Sequence, residues 1–358
     1  MGKPNIKRIF VSKYTLNTNF LQWHGLCLLI NMKNKEFYFQ WHITKKCNLR
    51  CSHCYQEDYS AFELPPETLI SIADKIIDAL KQWDMHGRIS LTGGEPFMSK
   101  SLFVLMDKFE NSDEISKLGV LSNGTIVTEQ IINQLKKYKK LSEIQISLDG
   151  ANEETHDSIR GTGTFQKTIK SIELLKENNF FISIMFTLTS INKTNIDELL
   201  NLCDKLNIDA LTVERVTPCS NSSSNLYVSK EELSKIYNKI AAYKEQNKKY
   251  KIRTSRPLWT LTNHEYGGFC PVGFSSLAIL EDGTVLPCRR LNIPIGNILT
   301  DSLYKIWYTS DVLWNIRNKK LLKGKCNSCE NLSNCSGCRA IAYEITGDYL
   351  EEDPQCWK

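Results

Sequence analysis

Thirteen cysteines define the chemistry open to this 358-residue chain. Three lie in one tight run, Cys47-Asn-Leu-Arg-Cys51-Ser-His-Cys54-Tyr55. Three thiolates so close together can hold three irons of a four-iron cluster and leave the fourth iron open to a substrate or cofactor. The alternative is a zinc site with His53 as fourth ligand, but zinc ribbons usually pair two Cys-x2-Cys arms. Seven more thiols lie near the end: Cys270, Cys288, Cys326, Cys329, Cys335, Cys338 and Cys356. Seven thiolates suffice for two zincs or two iron–sulfur clusters. Cys203, between Leu202 and Leu206, reads as core packing, and Cys27 among leucines reads the same way. Cys219 sits in a polar loop, Cys219 to Asn225.

The rest of the composition narrows the setting. The cysteines are too sparse for a disulfide-knit mini-protein and are odd in number. No export signal precedes them, so a reducing, cytoplasmic location is expected. The charge balance, 45 − 40 = +5, is spread along the chain and points to no nucleic-acid partner. The apolar run Leu26 to Ile30 falls far short of the ~20 residues a membrane helix needs. With 41% hydrophobic residues there is ample material for a core.

The elements that must position these thiols alternate between strand and helix. Strands are expected at 37–43, 88–92, 117–122, 144–148, 181–188 and 211–216. Helices are expected from 66 and from 102, then at 129–137, 166–178, 195–206 and 230–246. Six βα units imply a parallel sheet with helices outside, an α/β partial barrel open on one side. Ligands in such sheets sit at the carboxyl ends of the strands, where the first cysteine run falls. Residues 247–268 read as a linker. The segment 269–358 reads as a small cysteine-rich domain, with a hairpin turning at Glu281-Asp282-Gly283 and one main helix over 302–318.

The first cysteine run resembles the signature of the radical SAM superfamily, with His53 in its aromatic position. Further motifs follow in order at successive strand ends. They are Thr92-Gly93-Gly94-Glu95-Pro96, Ser122-Asn123-Gly124-Thr125, Ser147-Leu148-Asp149-Gly150 and Arg160-Gly161-Thr162-Gly163. Each alone is an ordinary turn; their order carries the likeness. The resemblance implies a partial (β/α)6 barrel over 38–246. It implies a [4Fe-4S] cluster on Cys47, Cys51 and Cys54, and S-adenosylmethionine bound beside it. It places Tyr55, Gly93, Gly94, Glu95, Ser147 and Arg160 around that cofactor, with Glu95 toward the methionine amino group. The implied chemistry is reductive cleavage of S-adenosylmethionine to a 5′-deoxyadenosyl radical that abstracts hydrogen from a carbon.

The C-terminal cysteines resemble the SPASM extension of that superfamily. Two residues, rather than the usual three, separate Cys335 from Cys338. By resemblance, Cys326, Cys329, Cys335 and Cys356 bind one auxiliary cluster, and Cys270, Cys288 and Cys338 another. The second set is one thiolate short, which leaves an open iron, a non-cysteine ligand or Cys219 to complete it. Cys219 lies on the rim beyond the last barrel strand, where it could instead return a hydrogen atom to a carbon radical or simply face solvent.

SPASM enzymes mostly modify peptides or proteins, so the resemblance implies a precursor-peptide substrate and an electron donor such as flavodoxin or ferredoxin. Possible products are a thioether or carbon–carbon crosslink, or an epimer. The N-terminal extension 1–37 is too short for a leader-gripping winged helix, so a separate leader-binding protein, or this short segment, is the expected means of holding the leader. Sulfatase maturases carry an Asp directly after the Gly-x4-Cys cysteine. This chain has Arg289 there, which weakens that reading. The pair Arg289-Arg290 suits either an acidic peptide or a bracing role. Two non-enzyme readings, an electron-transfer protein and a zinc-dependent peptide scaffold, leave Thr92–Pro96 without a purpose.

Overall fold

The computed structural model describes residues 35–60, 63–218, 224–267 and 270–358. Cys27 and Cys219, and nearly all of the N-terminal extension, lie outside these residues. The chain divides into Met1–Glu36 and one compact unit, Phe37–Lys358.

The unit begins with β1 (Glu36–His42), α1 (Pro66–Trp83), β2 (His86–Thr92), α2 (Leu102–Glu110) and β3 (Ile115–Ser122). Then come α3 (Glu129–Leu135), β4 (Leu141–Ser147), α4 (Glu153–Arg160), α5 (Thr164–Glu177) and β5 (Ile182–Leu188). The series closes with α6 (Ile196–Lys205), β6 (Ala210–Arg215), α7 (Lys230–Gln246) and β7 (Lys251–Arg253). The C-terminal part holds β8 (Ser276–Ile279), β9 (Thr284–Leu286) and β10 (Gly296–Asn297). Its helices are α8 (Leu303–Thr309), α9 (Asp311–Arg317), α10 (Gly324–Asn327) and α11 (Arg339–Thr346).

One sheet runs β10-β9-β8-β1-β2-β3-β4-β5-β6-β7. The six expected strands are its middle. Two more extend them, β7 parallel to β6 and β8 parallel to β1, with Tyr38 opposite Ser276. The segment expected to lead out of the barrel thus supplies a barrel strand, and the cysteine-rich part joins the same sheet through β8. The hairpin β8–β9 is antiparallel and turns at Gly283, whose φ of 83° suits glycine.

The central strands alternate fully buried apolar residues with less buried, more polar ones, as on β1 and β4. On β2, Ile89 and Leu91 are fully buried, and on β5 so are Ile184 and Phe186. Helix α1 starts with Pro66, whose missing N–H costs nothing in a first turn, and buries Leu69, Ile72, Ala73, Ile76 and Leu80. Trp307 of α8 meets Phe37 edge-on at 5.0 Å and Trp83 of α1 at 5.8 Å. The single helix expected over 302–318 is two. Ser310 breaks it, accepting from Leu313 N at 3.4 Å and capping α9.

Candidate active site

The first cysteine run leaves β1 at its carboxyl end and is fixed mainly by backbone. Gly94 N donates to Thr44 O at 2.9 Å, and Glu95 N to Lys46 O at 2.7 Å. These contacts need glycine. A Cβ on Gly94 would stand 2.2 Å from Lys46 O and 2.8 Å from Cys47 Cβ. One on Gly93 would stand 2.3 Å from Thr44 O, and its φ of 147° excludes most side chains as well. The two glycines therefore press the end of β2 against the start of the cysteine loop.

The Glu95 carboxylate is fully buried and spans the ends of β2 and β3. It accepts from Ser122 Oγ at 2.9 Å, Asn123 N at 2.8 Å and Phe97 N at 3.2 Å. Burial pushes its pKa up to about 7, against those three donors. The structure thus gives Glu95 a bracing role beside the loop. Asn123 carries the brace onward, donating through Nδ2 to Asn48 Oδ1 at 2.9 Å and approaching Cys47 Sγ at 4.0 Å.

A second brace comes from β4 and α4. Arg160 Nε donates to Asp149 Oδ2 at 2.6 Å, and its Nη1 reaches Cys51 Sγ at 3.8 Å. Asp149 is fully buried and also accepts from Thr187 N at 2.7 Å. Burial is the largest influence and opposes its ionisation, but Arg160, the two nearby histidines and the Thr187 N–H together outweigh it and hold Asp149 below the usual carboxylate range. His53 Nε2 lies 3.4 Å from the same Asp149 oxygen. Burial lowers His53 to about 4, so its ring is neutral near pH 7, and its buried Nδ1 has no hydrogen-bond partner. Ser147 is half-buried at the end of β4.

Each loop thiol has N–H groups nearby. Leu49 N is 3.5 Å from Cys47 Sγ, Gln56 N is 3.4 Å from Cys54 Sγ, and Arg160 serves Cys51. Burial pushes the Cys51 thiol up to about 11, so only a strong local positive charge would hold it ionised. Among the described residues no three His, Cys, Asp or Glu side chains gather as a single ion needs. A four-iron cluster asks instead for thiols spread around it, each on its own iron. Donor-lined thiols and an unpartnered nitrogen beside them fit such a group.

The C-terminal thiols fall into two neighbourhoods. Cys270 feels Cys288 and Cys338, and burial raises it to about 12. Cys356 feels Cys335 and Cys326, and Cys329 shares the charge of Lys358 with Cys356. Both are anchored to β6. Arg215 forms a two-pronged pair with Asp353, at 2.8 and 3.0 Å, and Asp353 accepts Cys338 N at 2.8 Å. Glu214 holds Arg290 at 3.1 Å and also pairs with Arg256. Cys203 is buried in the core.

Tyr55 joins the two regions. It lies within electrostatic reach of Cys54 and Cys288, and the Arg289 guanidinium covers its ring at 3.9 Å. Sequence reasoning named Tyr55 and Arg160 but missed Asp149 and Asn123, and it weighed His53 only as a zinc ligand or as the aromatic residue of the motif. Both missed residues lay in quoted strand-end motifs, and a buried acid between an arginine and a cysteine loop is a signal only once the chain is folded.

Residues 41–206 match the radical SAM superfamily, and residues 270–339 match SPASM, an iron–sulfur cluster-binding domain. The chain is a radical SAM enzyme with a SPASM domain. It uses S-adenosylmethionine and iron–sulfur clusters. The chain is 29% identical over 350 residues to an AdoMet-dependent heme synthase of Methanosarcina barkeri, covering 92% of this chain and 98% of that one. It is 28% identical to the antilisterial bacteriocin subtilosin biosynthesis protein AlbA of Bacillus subtilis, covering 83% of this chain and 65% of AlbA. Its fold matches that of Streptococcus suis SuiB bound to the precursor peptide SuiA, with a TM-score of 0.73 and 18% identity, over 98% of this chain and 83% of SuiB. Among the described residues no helix is long and apolar enough to cross a membrane.

Proposed function

We propose that this enzyme modifies a residue of a ribosomally made precursor peptide, by a crosslink or an epimerisation. Cys47, Cys51 and Cys54 would hold the radical cluster. Cys326, Cys329, Cys335 and Cys356 would hold one auxiliary cluster, and Cys270, Cys288 and Cys338 the other. When bound, the radical cluster and S-adenosylmethionine supply a carbon-centred oxidant able to take a hydrogen atom from an unactivated carbon. Gly93 and Gly94 shape the floor of that site, Glu95 and Asn123 hold the loop, and Arg160 with Asp149 sets the side at Cys51. Ser147 and Tyr55 face the same strand ends.

The observation that carries the reading is the bridge at Tyr55. Arg289, next to Cys288, covers the Tyr55 ring of the first cysteine loop, which suits a crosslink, where the substrate loses two hydrogens and its electrons need an acceptor. AlbA, a relative in bacteriocin biosynthesis, favours a peptide for that substrate. The heme synthase of M. barkeri, matched over 98% of its length, favours a second reading, a tetrapyrrole. Anaerobically reconstituted protein should carry about 12 irons, whereas about 4 would remove the auxiliary sites. Given a reductant, S-adenosylmethionine and a peptide encoded beside the gene, it should release 5′-deoxyadenosine and alter the peptide, a crosslink removing two hydrogens. Turnover of an iron porphyrin and of no peptide would establish the second reading. Partners that deliver electrons or hold the leader belong to the same proposal.

A further inference from the structure

The arginine pair after Cys288 divides its labour. Leu291 N donates to Cys288 O at 3.0 Å, so Arg289 and Arg290 are the two central residues of a tight turn. They meet opposite surroundings. Arg290 is spent on Glu214 at 3.1 Å and on Arg215 O at 3.3 Å. Arg289 is laid over the Tyr55 ring, which feels both Cys54 and Cys288, and its buried Nε has no hydrogen-bond partner.

The other cations around the first cysteine loop and Glu214 all have partners. Lys45 pairs with Asp58 at 3.0 Å and Glu281 at 3.5 Å, and Lys46 with Glu63 at 3.0 Å. Arg160 has Asp149, Arg256 has Glu214, and Arg50 donates to the carbonyls of Cys47 and Leu49. Among the described residues no carboxylate pairs with Arg289. Residues 1–34, 61–62, 219–223 and 268–269 contain no Asp or Glu, so no acidic side chain elsewhere in this chain can supply one. His42, the nearest titratable group on β1, is kept neutral by burial and by Arg289 itself.

A guanidinium flattened on an aromatic ring keeps its edge free for two-pronged binding of a carboxylate. It has lost little freedom that binding would still have to take away. We propose that Arg289 seats a substrate carboxylate, an acidic side chain of the precursor peptide, beside Tyr55 and Cys288. The seat rests on the peptide reading above and adds a rule to it: the peptide carries Asp or Glu beside the residue to be modified. The sulfatase-type acid at this position would repel such a peptide, so one side chain sets which charge the site accepts.

The test is binding. Full-length reconstituted protein is applied to an array of short random peptides, as wild type, R289Q and R289K, with thermal melting to confirm that each variant is folded. The wild type should enrich acidic peptides. R289Q should lose about tenfold of that preference, the scale of a charge-assisted pair, and R289K should restore part of it. Peptide binding with no acidic bias, or a bias unchanged in R289Q, would overturn the seat and leave the peptide reading standing. Such a result accompanied by altered cluster spectra would mean that Arg289 merely balances cluster charge. A parallel titration uses heme, an iron porphyrin that carries carboxylate side chains. Arg289-dependent binding of it, with no peptide captured, would overturn the peptide assignment and with it the reading beneath. Failure to bind either probe would overturn the seat.

Discussion

The first cysteine loop is held by close backbone contacts that the Glu95 and Arg160–Asp149 braces reinforce, whereas the scattered C-terminal cysteines depend on buried side-chain charge to gather them. Cys47 to Cys54 occupy eight consecutive positions, pinned by the hydrogen bonds of Gly94 and Glu95 to Thr44 and Lys46. Cys270 to Cys356 are scattered, and they gather because Arg215–Asp353 and the Glu214 pairs tie them to β6. A local loop needs close approach, which glycine supplies. A scattered set needs long-range ties, and buried ion pairs fail heavily when one partner is lost.

The largest expected effect comes from D353A. It leaves Arg215 charged and buried with no carboxylate partner, only the neutral Gln355 Oε1 at 3.0 Å, and deprives Cys338 N of its acceptor. Breaking such a pair costs about 3–5 kcal/mol. Chemical denaturation of the reconstituted protein should show that loss. Iron content should fall from about 12 toward about 4, with the first loop retained. A D353A protein that keeps all its iron would break the contrast between the regions.

Glu95 offers the next largest signal, in pH. Its folded value of about 7 lies above the ordinary 4.5. The folded state therefore holds this proton more tightly than the unfolded state. Its contribution to stability is full below pH 4.5 and is lost as pH rises toward 7. The whole swing is about 3 kcal/mol. E95Q carries no such charge, so its urea midpoint should change less between pH 5 and 7 than that of the wild type. Equal slopes would show that the brace is not a buried carboxylate.

How much of this was legible in the sequence follows the same divide. The cysteine loop, the Gly-Gly-Glu turn and the six central strands are local patterns, and the sequence displays them directly. Helix α4 escaped notice because its buried residues are only His156, Ile159 and Arg160, too few for an apolar stripe. Strands β7 and β8 are short, and only their partners, β6 and β1, reveal them as parts of the barrel. Leu303, Ile306, Leu313 and Ile316 suggest one helix because their spacing continues across Ser310, where the chain in fact turns. The different fates of Arg289 and Arg290 are invisible to any pattern, since they depend on Tyr55 and Glu214, far away in sequence.

G94A tests the backbone side of the comparison at smaller cost. The added methyl meets Lys46 O at 2.2 Å, and the loop has to move to admit it. Overpacking of this kind costs about 1–3 kcal/mol. The displaced atoms lead directly into Cys47, so S-adenosylmethionine affinity should fall further than stability does. Calorimetric titration beside thermal melting would separate the two losses, and a variant destabilised with unchanged affinity would deny the loop its dependence on this contact.

The smallest effects should be equal in the two regions. Thr128 caps α3 through Ile131 N at 3.4 Å, and Ser310 caps α9 through Leu313 N at 3.4 Å. One lies in the barrel and the other beside the scattered cysteines. Each hydroxyl satisfies one orphan N–H, so T128A and S310A should each cost about 1 kcal/mol. Equal costs would mean that the regions share their local devices and differ only in what ties them across the fold. A markedly larger loss in S310A would place part of the cysteine gathering in the break between α8 and α9, and the ion pairs on β6 would no longer account for it alone.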